Sequence, residues 1–235
     1  MERDFELFGL AHWTVLLLTL SIPALLIVWV KRAKTIRLEK GICYTLASLL
    51  IVNKLCQLGW TWVHGELSWA TGLPMHFCDW ATGFVVLALI FRWKWAYELA
   101  YFWALSGTAQ GLITPDLSYT FPHFRFIAFF ISHSGMVIAV LFMTLGLGMR
   151  PYWSSLLRAF LGAQIYLVAA WLVNLLINGN YGYLMGKPLN PSLLDHLGPW
   201  PWYILTMEGL SLVFFLFYYL PFVIWDGTKR FFKTT

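Results

Sequence analysis

The chain has 235 residues, of which 60% are hydrophobic, 19% aromatic and only 11% charged. Soluble domains average about 25% charged residues, so this composition excludes an ordinary soluble domain and indicates a membrane protein. The formal net charge of +5 does not indicate a nucleic-acid partner, because the basic residues lie in the short connections between apolar runs. The three cysteines predict no disulfide framework, since an odd number leaves at least one thiol free.

Apolar runs long enough to cross a bilayer recur along the whole chain. A helix needs about 20 residues to cross the hydrocarbon core, with a range of roughly 17–25. The sequence therefore predicts an all-α integral membrane protein, a seven-transmembrane helix bundle that forms a single domain over residues 1–235. The third span is expected to begin at Pro74, because proline fits the first position of a helix. The seven predicted spans are Trp13–Val30, Ile42–Val63, Pro74–Phe91, Trp95–Ile113, Phe126–Leu147, Ser155–Ile177 and Tyr203–Trp225.

The basic residues concentrate in alternate connections of the predicted bundle. The N-terminal segment and the second, fourth and sixth connections contain only Arg3, Arg125 and Lys187. By the positive-inside rule, the N-terminus is therefore predicted outside and the C-terminus in the cytoplasm of a multi-pass cell-membrane protein. The basic residues predicted on the cytoplasmic side are Lys31, Arg32, Lys34, Arg37, Lys40, Arg92, Lys94, Arg150, Arg158, Lys229, Arg230 and Lys233.

The polar side chains of the spans fall almost entirely in the outer half. Polar groups at membrane depth are costly, and they mark functional sites by default. We therefore expect these residues to face one outer cavity and to contact the substrate. They are Lys54, Gln57, Gln110, Asp116, Asn174, Asn178 and Glu208. Glu98 is the exception, near the inner end of the fourth span beside Arg92 and Lys94, and we predict a structural ion pair there.

The segment at residues 73–79 brings a thiol, an imidazole and a carboxylate together as His76, Cys78 and Asp79. Near the start of a helix, the positive end of the helix dipole favours a thiolate at Cys78. His76 and Asp79 are three residues apart and can meet, but His76 can reach Cys78 only if the chain is not yet helical there. His133, at the same predicted depth on the fifth span, is therefore the safer choice of general base. A Cys–His pair with an orienting third group is the usual way to activate a thiol for acyl transfer.

Two further kinds of site follow from the same residues. Gln110, Asn174 or Lys54 could stabilise an oxyanion that develops during acyl transfer. His76, Asp79, His133 and Glu208 could together supply zinc ligands, and the two histidines could ligate haem. Since no pair of histidines is spaced i,i+4 and nothing else supports a metal centre, we predict no metal and no cofactor.

Five short motifs resemble those of the YwaF-type bacterial integral membrane proteins. They are Leu-Pro-Met-His-Phe-Cys-Asp at 73–79, Gln-Gly-Leu-Ile-Thr-Pro-Asp at 110–116, Phe-Pro-His-Phe at 121–124, Ile-Ser-His at 131–133 and Asn-Gly-Asn-Tyr at 178–181. That family is related to a eukaryotic multi-span acyltransferase family that moves fatty acyl chains onto ether lysophospholipids through a cysteine. The resemblance implies Cys78 as nucleophile and His133 as its partner, adds His123 to the substrate-contacting residues, and implies a bacterial plasma membrane.

The sequence therefore predicts a lipid acyltransferase or acyl hydrolase. It would act on acyl esters of membrane phospholipids or lysophospholipids through an acylated cysteine in the outer half of the membrane. The alternative is a transporter or channel for ions or small molecules, with Lys54, Asp79, His133 and Glu208 along its pathway. A non-catalytic scaffold or receptor would explain the fold but not the clustered thiol and imidazoles.

Overall fold

The described part of the chain is built from helices. The computed structural model describes residues 4–188 and 192–234, with side chains up to residue 227. Within these residues there is no β-strand, and the one extended pairing is an isolated bridge between Asp4 and Tyr119. The α-helices are α1 Leu10–Ala33, α2 Ile36–Val63, α3 Trp69–Gly72, α4 Phe77–Phe91, α5 Lys94–Trp103, α6 Ala109–Ile113, α7 Phe124–Leu141, α8 Trp153–Ile177 and α9 Trp202–Thr234. A π-helical turn, Ala104–Thr108, joins α5 to α6, and a second one, Phe142–Gly146, extends α7.

Five of these helical segments are long and apolar enough to cross a membrane, which confirms an all-helical membrane protein. The five segments are Leu10–Ala33, Ile36–Val63, Phe124–Gly146, Trp153–Ile177 and Trp202–Gly227. The other two predicted spans differ in length and regularity. Helix α4 has only 15 residues, and the π-helical turn interrupts the helix over residues 94–113.

The third predicted span begins later than the sequence indicates, so the assignment of Pro74 to its first position is wrong. His76 is the last residue before α4 and has an extended backbone, with φ −73° and ψ 151°. Asp79 Oδ2 accepts a hydrogen bond from the main-chain N–H of His76 at 3.2 Å, which caps the helix start. The helix therefore begins at Phe77, and Cys78 is its second residue.

Small residues allow α4 to pack closely in the middle of the bundle. Ala81 and Ala88 on α4 and Ala96 and Ala100 on α5 are fully buried, and helices that expose small side chains to each other can approach closely in a membrane. A similar fit joins α2 to α7, where a Cβ added at Gly135 would lie 2.9 Å from Leu50 Cδ2. These contacts fix the positions of α2, α4 and α7, the helices that carry several of the predicted site residues.

Helices α4 and α7 run side by side in the same direction. At their C-terminal ends, the Tyr97 hydroxyl on α5, close after α4, is 2.8 Å from Thr144 Oγ1 in the extension of α7. In their middle, Thr82 Oγ1 lies 3.2 Å from Met136 Sδ. Cys78 precedes Thr82 by one turn, so it lies at the level of the turn of α7 that precedes Met136.

The basic connections meet at the other end of the bundle from Cys78. Ion pairs there join Arg92 to Glu39 at 4.0 Å and Arg150 to Asp226 at 2.6 Å. Arg3 and the side chains of Lys229, Arg230 and Lys233, which also entered the orientation argument, lie outside the described residues.

The buried acid at this end, Glu98, pairs with a residue that the sequence did not indicate. Glu98 is 0% exposed, and its Oε2 accepts from Arg158 Nη1 at 2.5 Å, rather than from Arg92 or Lys94. Its other oxygen is buried without a hydrogen-bond partner among the described residues. Local spacing suggested the neighbours in the sequence, but the packing of α5 against α8 decides the pair.

Replacing Arg158 with methionine is expected to destabilise the fold by about 2 kcal/mol, because it leaves the Glu98 carboxylate buried without its cation. The value is set below that of a fully buried pair because the Arg158 side chain is 52% exposed. A second change, Glu98→Gln, should recover most of the loss, and thermal unfolding in detergent measures both. Glu39→Gln serves as a control, because the Glu39–Arg92 pair is partly exposed and contributes less. Equal losses in Arg158→Met and Glu39→Gln would contradict the assignment.

Candidate active site

The predicted polar residues border one cavity at the end of the bundle where α4 and α7 begin. Its volume is about 610 Å³, and its walls come from α2, α4, α6, α7, α8, α9 and the connection between α8 and α9. Ligand cavities in proteins usually measure about 300–1,000 Å³. Nine of the twelve residues predicted for the site line this cavity: Lys54, Gln57, His76, Cys78, Asp79, Gln110, Asp116, His133 and Glu208.

The other three predicted residues, Asn174, Asn178 and His123, lie outside the set that lines the cavity, and each has a structural role. Asn174 is 1% exposed, and its amide holds the main chain of Tyr181, with Nδ2 donating at 2.9 Å and Oδ1 accepting at 2.7 Å. Asn178 ends α8 in the left-handed conformation, at φ 53°. His123 precedes α7 and accepts from the N–H of Arg125 at 3.2 Å. Sequence spacing identified polar helix faces but not which of them serve helix ends.

Cys78 is positioned by the first turn of α4. Its carbonyl accepts from Thr82 Oγ1 at 2.7 Å, and its side chain is partly buried against the cavity. The neighbouring Phe77 ring packs on Trp103, with 4.8 Å between centroids. Gly107 in the π-helical turn makes room for that ring, because a Cβ there would lie 2.8 Å from Phe77 Cε1. The thiol is thus held on a fixed part of the wall.

His133 lines the cavity and has a defined tautomer. Its ring stacks on Phe129 at 3.9 Å, and its Nδ1 lies 2.9 Å from the Phe129 carbonyl. A carbonyl oxygen can only accept, so Nδ1 carries the proton and Nε2 has a free lone pair. Across the cavity wall lies Gly111, where an added Cβ would be 3.3 Å from Nε2. The imidazole therefore has one ring nitrogen that can accept a proton.

Asp79 is bound to Lys54 and to the main chain of His76. Its Oδ1 pairs with Lys54 Nζ, and its Oδ2 accepts from the His76 N–H. The predicted contact between the Asp79 carboxylate and the imidazole of His76 is thus replaced by a main-chain bond. The His76 ring packs instead edge-on to Tyr181, with 5.0 Å between centroids, and 6.0 Å from Tyr183.

Two tyrosines from the connection after α8 pack beside His76, and one of them, Tyr183, lines the cavity. The Tyr183 hydroxyl donates to Asp116 Oδ2 at 2.8 Å. Burial, and then the negative charge of Asp116, raise the pKa of Tyr183, so this phenol keeps its proton and remains a donor. The Tyr181 hydroxyl donates to the Trp69 carbonyl at 2.8 Å and accepts from the Leu73 N–H at 2.9 Å.

The described residues contain no group of three or more His, Cys, Asp or Glu side chains placed to hold a metal ion. The side chains of the cavity offer a thiol, an imidazole, an ion pair and several hydroxyl groups.

Comparison with protein families shows the family to which the chain belongs. The sequence profile of the TMEM164 family matches residues 7–219, which include all the residues described in the cavity. The chain belongs to the TMEM164 family. No curated protein and no solved structure matches the chain. The match shows the TMEM164 family. It does not test the narrower resemblance to the YwaF-type bacterial proteins.

Several cavity residues of this TMEM164 family member were missed from the sequence. Tyr166, Tyr183, Thr82 and Ser132 line the cavity, yet a tyrosine, threonine or serine in an apolar run carries no specific pattern. Tyr181 directly follows Asn178-Gly179-Asn180 in the last of the five motifs. That position in a motif was the one available signal for the tyrosines beside His76.

Proposed function

We propose that this TMEM164 family member is a cysteine-dependent acyltransferase or acyl hydrolase of membrane phospholipids. One observation carries the proposal. Cys78 and His133 line the same cavity from neighbouring helices, and the contact between Thr82 and Met136 places them at the same level. The imidazole nitrogen that is not held by the Phe129 carbonyl is the unprotonated one, which is the form needed to accept a thiol proton.

The reaction follows from these two groups. His133 Nε2 accepts the proton of the Cys78 thiol, and the sulfur electron pair forms a bond to the ester carbonyl carbon. The carbonyl electron pair moves to its oxygen, then re-forms the double bond as the C–O bond to the lysophospholipid breaks. The leaving oxygen takes the proton from His133. A lysolipid hydroxyl or water then gives His133 its proton, attacks the thioester carbon and releases Cys78, which recovers its proton.

The cavity suits a phospholipid ester. Its walls are mainly apolar and accept an acyl chain, while charged groups such as Lys54 and Asp116 lie on the same walls. Acyl esters lie between the apolar core and the headgroups of a bilayer, and a cavity at one end of the helices reaches that depth. Phospholipids or lysophospholipids are therefore the proposed substrates.

The topology that accompanies this proposal is a single seven-helix domain with the N-terminus outside. The basic connections would lie in the cytoplasm, and termini on opposite sides require an odd number of crossings. Five helical segments are each long and apolar enough to cross a membrane. Adding α4 and the interrupted helix over residues 94–113 makes seven. On the five sequence motifs, we infer a YwaF-type protein of a bacterial plasma membrane, whose cavity faces the outside.

A transporter remains the second candidate, because Lys54, Asp79, His133 and Glu208 all line the cavity. A transport pathway would have to continue to the other side of the membrane. In that half of α7 and its extension, the large side chains of Met136, Phe142 and Met143 are fully buried. Flux of ions or small polar solutes into liposomes, lost in Glu208→Gln, would favour transport over acyl chemistry.

Mass spectrometry of the intact protein tests the proposed function. Purified protein incubated with a phospholipid of one acyl chain type should gain the mass of one acyl group less one hydrogen. Neutral hydroxylamine should remove the adduct, because it cleaves thioesters.

The matched controls use the other two cysteines. Cys43 is buried and Cys56 is exposed, so the Cys43→Ala/Cys56→Ala double variant should still acquire the adduct, whereas Cys78→Ala should not. An adduct that persists in Cys78→Ala, or none on the wild-type protein under turnover conditions, would contradict the mechanism.

A further inference from the structure

We propose that Ser132 is the hydrogen-bond donor that stabilises the oxyanion when Cys78 attacks the acyl carbonyl. The inference rests on the proposed acyl chemistry and adds a catalytic residue to it. Ser132 lines the cavity and directly precedes His133 on α7, and its hydrogen bonds set the direction of its hydroxyl.

Two amide groups of α2 fill the acceptor positions of the Ser132 hydroxyl. Asn53 Nδ2 donates to Ser132 Oγ at 2.8 Å, and Gln57 Nε2 donates at 2.9 Å. The orientation of both amides is certain on chemical grounds. Each nitrogen also lies within hydrogen-bond distance of the Ala128 carbonyl, at 2.9 Å and 3.2 Å, and a carbonyl oxygen can face only a donor.

A serine hydroxyl has two lone pairs and one hydrogen. With both lone pairs of Ser132 Oγ occupied, the hydrogen takes the remaining tetrahedral position and points away from the α2 amides. Among the described residues this hydrogen has no acceptor, and because Ser132 lines the cavity, a molecule bound there can accept it.

Other hydroxyl groups of the cavity differ from Ser132 in this respect. Ser106 donates to the Phe102 carbonyl at 2.5 Å, and Ser211 donates to the Glu208 carbonyl at 2.7 Å. Hydroxyl groups on helices commonly bond in this way to a carbonyl of the preceding turn, which uses their hydrogen. At Ser132 the two α2 amides donate to the hydroxyl oxygen instead, and the described part of the chain shows no bond from the hydroxyl to a carbonyl of the preceding turn.

The position of Ser132 relative to Cys78 is set by the same contact that places His133. Ser132 precedes Met136 by one helical turn, and Cys78 precedes Thr82 by one turn. Since Thr82 Oγ1 and Met136 Sδ are 3.2 Å apart, Ser132 and Cys78 face each other on parallel helices. A carbonyl whose carbon is bound to the sulfur can therefore direct its oxygen to α7.

Two of the residues first considered for this role are already engaged. Lys54 pairs with Asp79, and the amide of Asn174 binds the main chain of Tyr181. Ser132 differs from Asn174 in lining the cavity, and it differs from Lys54 in having no negatively charged partner, among the described residues, that holds its hydrogen. A donor fixed in advance needs no reorganisation when the negative charge develops, which is the basis of oxyanion stabilisation.

The test replaces Ser132 with alanine in the full-length protein and measures lysophospholipid release and thioester formation. Removing one oxyanion donor lowers kcat by about 10²-fold or more, so Ser132→Ala should show such a loss with KM nearly unchanged. Ser132→Thr keeps the hydroxyl and should retain most of the activity. In the trapped acyl-enzyme, the infrared band of the thioester carbonyl should move to higher frequency in Ser132→Ala, because the carbonyl loses its hydrogen bond.

Ser211→Ala is the control, because it removes a hydroxyl of the same cavity whose hydrogen is already used. The proposal is overturned if Ser132→Ala keeps kcat within about twofold of the wild-type value, a change too small for a lost oxyanion donor. It is also overturned if the carbonyl band does not move, or if Ser211→Ala loses as much activity. These outcomes are distinct from a failure of the proposed function, in which Cys78→Ala would remain active and form the same products.

Discussion

Replacing Cys78 with alanine is expected to lower the proposed acyl transfer by at least about 10⁴-fold, because the proposed mechanism loses its nucleophile and only binding and orientation remain. Cys78→Ser keeps the shape of the side chain, but a hydroxyl is a much weaker nucleophile than a thiol at neutral pH. We expect it to lose at least about 10³-fold for that reason. The measurement is release of lysophospholipid from vesicles by purified protein, followed by lipid mass spectrometry.

Cys56→Ala provides the matched control for this experiment. Cys56 lies on α2 only two residues from Lys54, but it is exposed and lies outside the set of residues that line the cavity. Its replacement should leave turnover unchanged. Full activity of both Cys78→Ala and Cys78→Ser would remove the basis for covalent catalysis and leave the transporter hypothesis as the stronger one.

Replacing His133 with glutamine is expected to lower turnover by about 10²–10⁴-fold, the range that general acid–base catalysis usually supplies. Glutamine keeps a polar side chain of similar length but cannot accept and return a proton at neutral pH. Substrate binding should change little, so the loss should appear in kcat. The same substitution at His76 should cost less, because the His76 ring packs on tyrosines. A larger loss in His76→Gln than in His133→Gln would make His76 the base.

His64 makes the same kinds of local contact as His133 but lies outside the cavity, so it serves as a control. Its Nδ1 lies 2.8 Å from the Trp60 carbonyl, four residues earlier, and its ring stacks on Trp60 at 4.0 Å. His64 is exposed at the end of α2, away from the residues that line the cavity. His64→Gln should therefore retain full activity, and any loss there would show that the His133 result reflects helix stability.

A substitution on the opposite wall tests the orientation of the His133 ring without removing it. In Gly111→Ala the new Cβ would lie 3.1 Å from His133 Cδ2, so the ring must move by a few tenths of an ångström. We expect turnover to fall by about tenfold, because small displacements of a catalytic group are costly. At Gly83 an added Cβ meets nothing within 4 Å, so Gly83→Ala should keep its activity and unfold no more easily.

The sequence was sufficient for the class of protein and for the neighbourhood of the site. Apolar runs define membrane helices, and the cost of polar groups in hydrocarbon makes residues such as Lys54 and Glu208 conspicuous. It was not sufficient for pairings between helices. Glu98 pairs with Arg158, 60 residues away in the chain, and periodicity indicates which face a residue occupies but not which helix lies opposite.

The same limit explains the two kinds of error at the site. Asn174 was expected to contact the substrate, but its amide supports a turn whose position depends on where the chain goes after α8. Ser132 was overlooked, because its significance comes from two amides of another helix that fill its lone pairs. In both cases hydrogen-bond partners decide the role, and partners are a property of the packed structure.

The hydroxyl of Tyr181 bridges the main chain at Trp69 and Leu73, on the segment that leads into α4. Because one side chain holds both segments, the turn that contains Tyr181 and the segment that leads to Cys78 should shift together. A ligand that displaces the turn would therefore also displace the main chain just before His76 and change the position of the Cys78 side chain.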